Sequence, residues 1–475
     1  MRLRLSAMLL MAAQTWWGRV LMAVLAAVAL IPGFGNVALA FAGAIALCSF
    51  RPEQRRGVVS LLAVLVCVYN IGPKGLDWAA NRVPLRALIV AAVWIGCLIL
   101  WTRFPSRVRH PMLILHVCAG TFLVGTWAMR AGGPISESSG VTASALSSLV
   151  PELLWRSSYW IKWRRKQNGP APIWENLFAA LPFVGSGGVP YGKGPGYFAK
   201  HEAVGAVPMA AAQLEGMKLL LLATIWRLVD GALGVASGTP PAWFANAPLA
   251  DWTFFRDTLH DAIPAMTALL QTPDVFSLWQ RWAGLYLELF HNILTLATYG
   301  HTLIGALCLL GFRIPRNTDA PLLATTILDF WNRYYFYFKE LLVDFFFFPA
   351  FLKTAGASLA WRTLAATAWA AFFGNMYYHV ILYWSGYVAG NVAGFEALIS
   401  SRAIYCVLLT GGLCASFMRS PALGMRQPRT VSRGRRVLQS AGVSLFFALL
   451  HVWNYSEPVG VNERWELCKS LVAWN

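Results

Sequence analysis

The stretch 311–384 decides how this chain is read. It opens with GFRIPRNTDAPLLATTILDFWNRYYFYFKELLVDFFFFPAF at 311–351 and closes with GNMYYHVILYW at 374–384. The first part is apolar, yet it carries Asp329, Asn332, Arg333, Lys339, Glu340 and Asp344, where a plain membrane span has no such residues. The second part is a long apolar run with one imidazole, His379, inside it. An ionisable group at membrane depth costs a few kcal/mol or more, so it marks a functional site by default. The rest of the chain reads as scaffold for these two elements.

Composition sets the class. Of 475 residues, 57% are hydrophobic, 14% aromatic and only 13% charged, about half the charged share of a soluble domain. Apolar runs fill the whole length, which argues against disorder and for an integral membrane protein. The net charge of +18 sits in short loops between apolar runs. That is the pattern of cytoplasmic loops that collect Lys and Arg, and it excludes nucleic acid as a partner. The eight cysteines form no CxxC pair and no Cys/His cluster, so neither structural zinc nor a disulfide framework is expected.

A membrane helix needs about 20 apolar residues. Candidate spans lie near 14–31, 36–50, 57–72, 86–102, 111–128, 145–163, 213–236, 357–386, 397–418 and 437–454, with 276–298 and 300–312 counted as one bent crossing. The first run follows Arg2 and Arg4 and resembles a signal peptide, but further spans follow at once, so it reads as an uncleaved span. Loops 51–56, 103–110 and 419–436 are rich in arginine, whereas 32–35 and 131–149 carry no Lys or Arg. The loop 73–86, with Lys74, Arg82 and Arg86, argues weakly against this alternation. The rule of positive inner loops then puts the N-terminus in the cytoplasm and the C-terminus outside, across about eleven crossings. The segment 171–202 is too rich in Gly and Pro for a straight helix and too apolar for an ordinary loop. It reads as a re-entrant helix and a packed glycine turn, buried in protein or lining a cavity. No GxxxxGK[ST] accompanies its glycines, so phosphate binding is a weak reading. Asp257, His260 and Asp261 share a helical face, a pattern more often solvated than metal-binding. No internal repeat is visible, which argues against an inverted-repeat transporter.

Taken as one helix, 327–345 brings Trp331, Asn332, Tyr335 and Lys339 close to one another, with Asn332 and Tyr335 on one side and Asp329 able to pair with Arg333. Pro349 should break or bend that helix. His379 lies 17 residues beyond Arg362, roughly 25 Å along a helix and so inside the bilayer. Asn375, one turn earlier, is placed to hold one ring nitrogen. A neutral imidazole so held takes a proton from a hydroxyl; the bland alternative is a satisfied structural histidine. His291, His301 and His451 read as structural.

These residues carry a resemblance. RNTDAPLLATTILDFWNRYYFYFKELLVDFFFFPA resembles the first signature of the membrane-bound O-acyltransferase (MBOAT) family, matching at Pro321, Leu323, Ala324, Thr325, Phe330, Trp331, Arg333, Asp344 and Pro349. GNMYYHVILYWSG is similar to its second signature and sets His379 on the family's catalytic histidine. RSSYWIKWRR and the LPFV…GP region resemble further family stretches more loosely, so the likeness covers about 140–420 and is specific at 312–386. One departure stands out: where the family has His, Asn or Asp, this chain has Tyr335, and the nearest Asn is Asn332, a turn earlier.

The resemblance implies an all-α polytopic membrane protein, with spanning, re-entrant and interfacial helices around a central intramembrane cavity. It would form a single integral membrane domain: N-terminal helices over 1–130, a core over 140–420, and a last helix and tail over 437–475. It further implies acyl transfer from a thioester to a hydroxyl in a bacterial inner membrane. His379 would be the general base, Asn332 or Tyr335 the second catalytic group, and Trp331, Arg333, Asn375 and Tyr378 the substrate contacts. No cofactor or metal is implied; the donor is acyl-CoA or an acylated carrier protein. The acceptor is a cell-envelope glycan or a lipid, and membrane lipids and periplasmic or membrane proteins are the expected partners. The alternatives are a catalytically inactive relative that binds lipid or assembles with a partner, a transporter, and a polyprenyl-phosphate-sugar glycosyltransferase. The last is disfavoured because 32–36 holds no acidic residue.

Overall fold

The computed structural model describes residues 2–34, 37–71, 96, 110–131, 137–167, 192–236, 263–418 and 432–472. Among them the chain is helical, without a strand. Contacts divide it into two compact units: 1–222 with 300–316 and 384–390, and 223–299 with 317–383 and 391–475.

The helices are, in order, α1 (Arg2–Gln14), α2 (Trp16–Phe34), α3 (Val37–Phe50), α4 (Arg55–Ile71), α5 (Pro111–Ala131), α6 (Glu137–Arg164), α7 (Pro195–Lys200), α8 (Ala206–Ala236), α9 (Met266–Gln271) and α10 (Leu278–Leu309). There follow α11 (Ile327–Tyr334), α12 (Phe336–Leu342), α13 (Phe348–Lys353), α14 (Leu359–Ala368), α15 (Asn375–Val388), α16 (Val392–Met418), α17 (Arg433–Asn454) and α18 (Val461–Ser470). Among the described residues four helical segments are long and apolar enough to cross a membrane: Ala206–Leu233, Leu278–Leu309, Val392–Met418 and Arg433–Asn454. A fifth forms if the α1–α2 pair, bent by 95°, is one span. The chain is therefore a multi-pass α-helical membrane protein.

The count of about eleven crossings is not reached among the described residues. One reason is length: 36–50 forms a helix of only 14 residues, short of a bilayer. Another is that the run 357–386 is helical in three pieces, with a π turn at Trp369–Gly374 between α14 and α15. The pieces 276–298 and 300–312 are one unbroken helix of 32 residues, α10, rather than a bent crossing. Residues 86–95, 97–102, 168–191 and the Asp257/His260/Asp261 face lie outside the described residues.

In the first unit the α1–α2 bend has a local cause. The Thr15 hydroxyl accepts from Gly18 N at 3.0 Å and so caps α2. A Cβ at Gly18 would lie 2.0 Å from the Ala12 carbonyl oxygen, so only glycine allows the corner. Elsewhere in this unit α8 and α10 meet backbone to backbone, where a Cβ at Gly216 would sit 2.7 Å from Gly305 O. Small residues give membrane helices this close approach. Gln213 spans the same region, donating to Ser49 Oγ at 2.5 Å and Leu309 O at 3.1 Å.

In the second unit, Phe330 of α11 stacks on Phe447 of α17 with ring centroids 3.6 Å apart. Gly412 of α16 permits that packing, since a Cβ there would meet Phe446 at 2.7 Å and Ile327 at 2.9 Å.

Candidate active site

The segment expected as one helix over 327–345 is two. Thr326 caps α11 by accepting from Asp329 N at 3.0 Å, and Asp329 pairs with Arg333 at 2.9 Å as its spacing requires. The helix then stops, because Tyr335 leaves the helical region at φ −141°, ψ 73°. Residues 317–319 make this break possible. Asp319 N and Thr318 Oγ1 donate to the Arg333 and Tyr334 carbonyls at 2.8 and 3.0 Å. Asn317 accepts from Phe336 N through its carbonyl at 3.0 Å and from Tyr337 N through its amide oxygen at 3.2 Å. Orphan groups at both helix ends thus find partners. The sequence reading overlooked this competitor for the backbone.

Pro349 does not stop the helix either. The turn before it, Val343–Phe347, opens to π geometry, with Phe348 N donating to Val343 O. The wider turn accommodates a residue that lacks an N–H, and the helix continues as α13 to Lys353. A second π turn, Trp369–Gly374, packs here: a Cβ at Gly374 would sit 2.8 Å from the Phe346 ring. Such turns are rare and gather at functional sites.

A cavity of about 290 Å³ lies between α11, α12, α14 and α16. Its walls are mostly apolar, among them Trp331, Leu342, Phe347 and Leu413, with Asn332 and the Lys339–Glu340 pair (2.5 Å) as the polar groups. Of the residues singled out from the sequence, Trp331 and Asn332 line this cavity. Tyr335 does not; its ring leans on Phe338 at 5.4 Å. The break in the helix separates the two residues expected to point the same way. Arg333 is committed to Asp329 and lies outside the lining.

His379 is 8% accessible and enclosed by rings. Tyr383 stacks on it at 5.9 Å, Tyr405 meets it edge-on at 5.9 Å, and Tyr378 lies 5.6 Å away. It is not part of the cavity lining. An aromatic layer intervenes: Phe338 touches Trp331 at 6.2 Å on one side and Tyr378 at 4.5 Å on the other. Asn375, 1% accessible, does not hold the imidazole. Among the described residues His379 Nδ1 has no hydrogen-bond partner.

Two buried arginines went unremarked in the sequence. Arg402 Nη1 donates to Trp453 O at 2.8 Å and Tyr455 O at 3.3 Å, and its Nη2 to the Tyr383 hydroxyl at 2.7 Å. Arg464 donates to the carbonyls of Val452, Tyr455 (3.1 Å), Glu457 (2.7 Å) and Val459 (3.1 Å). Both guanidinia cap the C-terminal end of α17, where orphan carbonyls and the helix dipole favour a cation. Arg402 lies inside an apolar run, the same signal that singled out His379. A second polar group was also passed over: Glu288, His291, Asn292 and Thr295 recur at i, i+3, i+4 and i+7 on apolar α10. Among the described residues no group of three or more His, Cys, Asp or Glu is placed to hold a metal ion. Comparison of the sequence with protein-family models and with curated proteins finds no match.

Proposed function

We propose that this chain is a membrane-bound O-acyltransferase of the kind its 312–386 segment resembles. The observation that carries the reading is a buried imidazole with an unpartnered nitrogen, one aromatic layer from a largely apolar cavity whose wall includes Asn332. The cavity would take the acyl chain of the donor, an acyl-CoA or acylated carrier protein. His379 would accept the proton of the acceptor hydroxyl; the oxygen attacks the thioester carbonyl carbon, the C–S bond breaks, and the thiolate leaves with that proton. Asn332 is the better candidate than Tyr335 to steady the developing oxyanion, because it borders the cavity and Tyr335 does not. The reading requires the Phe338–Tyr378 layer to part when both substrates are bound. It places the chain in a bacterial inner membrane with the N-terminus inside and the C-terminus outside. The acceptor is a cell-envelope glycan or a lipid, and partner proteins on the outer side would complete the pathway.

One observation favours a second reading, an inactive relative that binds lipid or assembles with a partner: His379 faces packed rings rather than the cavity. Acyl transfer and thioester hydrolysis by the purified protein separate the two, with short and long acyl-CoA and acylated carrier protein as donors. A general base contributes about 10²–10⁴-fold, so His379→Ala should lose activity on that scale and Asn332→Ala should lose more than Tyr335→Phe. A folded wild type inert with every donor would move the inactive reading to first place.

A further inference from the structure

The second polar group of the membrane helices forms a site of its own. His291 lies 13 residues into α10, roughly 20 Å along the helix at 1.5 Å per residue, and so at mid-span. Its Nδ1 meets Asp230 Oδ1, on α8, at 2.6 Å. Thr295 Oγ1 donates to the other oxygen of that carboxylate at 3.3 Å. The carboxylate is sheltered (14% accessible) and the imidazole open (43%). A carboxylate on Nδ1 orients the ring, and in the neutral imidazole it makes Nε2 the acceptor. One turn away, Glu288 Oε1 takes the Asn292 amide at 2.6 Å and lies 3.6 Å from His451 Nε2. Both contacts fall on Oε1.

His291 and Glu288 both line a cavity of about 190 Å³. Opposite them the Thr267 and Tyr455 hydroxyls share one hydrogen bond at 2.9 Å. Two hydroxyls joined by one bond leave one hydrogen to donate elsewhere. Burial pushes the Tyr455 phenol above its ordinary value, so it stays protonated. The remaining wall is aliphatic, with Leu233, Pro264 and Leu287.

We propose that this cavity binds a polyhydroxylated ring, a monosaccharide unit, with hydroxyls donating to His291 Nε2 and Glu288 Oε2 and accepting from the Thr267–Tyr455 pair. The ring's C–H face would rest on the aliphatic wall. Two acceptors and one donor around a small half-apolar space suit vicinal hydroxyls; a simple alcohol would leave polar groups bare. The site is separate from His379 and does not depend on acyl transfer.

Diethyl pyrocarbonate, which labels an accessible neutral imidazole at nitrogen, reads the site directly in the full chain in detergent, with peptide mass spectrometry as the readout. His291 should label readily, and Asp230→Asn should change the rate, because the carboxylate both orients the ring and bears on its protonation. Methyl glucoside should protect His291 in the wild type and fail to protect it in a Thr267→Val/Glu288→Gln variant. His379, enclosed by rings, should stay unlabelled throughout and so report that each variant is folded. An unreactive His291, labelling indifferent to Asp230, or the absence of protection by methyl glucoside overturns the proposal. Protection by tetramethylammonium instead of the glucoside also overturns it and makes the site one for cations.

Discussion

Two imidazoles of the second unit, His291 and His379, are built in opposite ways. His291 has a carboxylate on one nitrogen and open space at its ring. His379 is packed among three tyrosine rings and has no hydrogen bond to Nδ1. Position in an apolar run marks both equally. What separates them is the neighbour, because an imidazole serves as a base through the partner that fixes its tautomer and the space in front of its free nitrogen. The motif leads to His379, while the local chemistry is more complete at His291.

The comparison breaks most severely at the feature the two regions share. Arg402 ties the Tyr383 ring, stacked on His379, to the end of α17, and Arg464 holds Tyr455, which lines the His291 cavity, to that same end. Replacing Arg464 by Met removes a donor from four carbonyls. Tyr455 O keeps Arg402 and Glu457 O keeps Val459 N, so up to two are stranded, each costing roughly 1–3 kcal/mol when left unpaired in a buried place. The expected loss is several kcal/mol, read as a large drop in the thermal unfolding midpoint in detergent, together with newly labelled His379. A midpoint within a degree or two of the wild type would show that the two regions do not rest on this cap.

A matched pair of substitutions sharpens the contrast itself. His379→Phe exchanges an unpartnered polar ring for an apolar one in an aromatic nest, and such an exchange is close to neutral in stability. His291→Phe strands the sheltered Asp230 carboxylate and should cost about 1–3 kcal/mol. Adding Asp230→Asn should restore part of that loss, because contacting residues are energetically coupled. Denaturation of the three variants in one detergent checks this. Equal cost at both histidines would mean that His379 has a hydrogen-bond role in the folded protein, and the distinction drawn here would fail.

Much of the fold was legible in the residues. Apolar runs fixed the class and the helices α8, α10, α16 and α17, and the four-residue spacing of Asp329 and Arg333 announced their pair. What could not be read was where helices yield to something else. The break at Tyr335 depends on Asn317, Thr318 and Asp319 supplying partners from a segment a dozen or more residues away. Propensity within 327–345 contains no trace of that competition. Pro349 likewise announced an interruption but not its form, since the π turn that accommodates it also involves packing against Gly374. At the candidate site, Trp331 and Asn332 came out together on one cavity, whereas Tyr335 and Arg333 did not. The spacing on α10 puts Glu288, His291, Asn292 and Thr295 on one face, but His291 was read as structural; its carboxylate comes from another helix, and pairing between distant helices leaves no periodic mark.

The smallest expected effect decides the role of one remaining residue. Arg333 was expected to contact substrate, yet in the fold it bonds Asp329 at 2.9 Å, with both side chains 36% accessible. An exposed i,i+4 pair of this kind contributes about 0.3–0.5 kcal/mol, so Arg333→Met should move the unfolding midpoint barely at all. If the residue only braces α11, the variant should also keep the KM for acyl donor of the wild type, with a slight fall in kcat. If the guanidinium instead swings from Asp329 to a donor phosphate, KM for acyl-CoA should rise about tenfold or more at unchanged stability, since charge-assisted hydrogen bonds are worth about 1.5–3 kcal/mol. That rise should vanish with increasing salt, as screening weakens an accessible ion pair. Asp329→Asn then separates the two: it frees the arginine, and so should lower KM only if the phosphate contact is real.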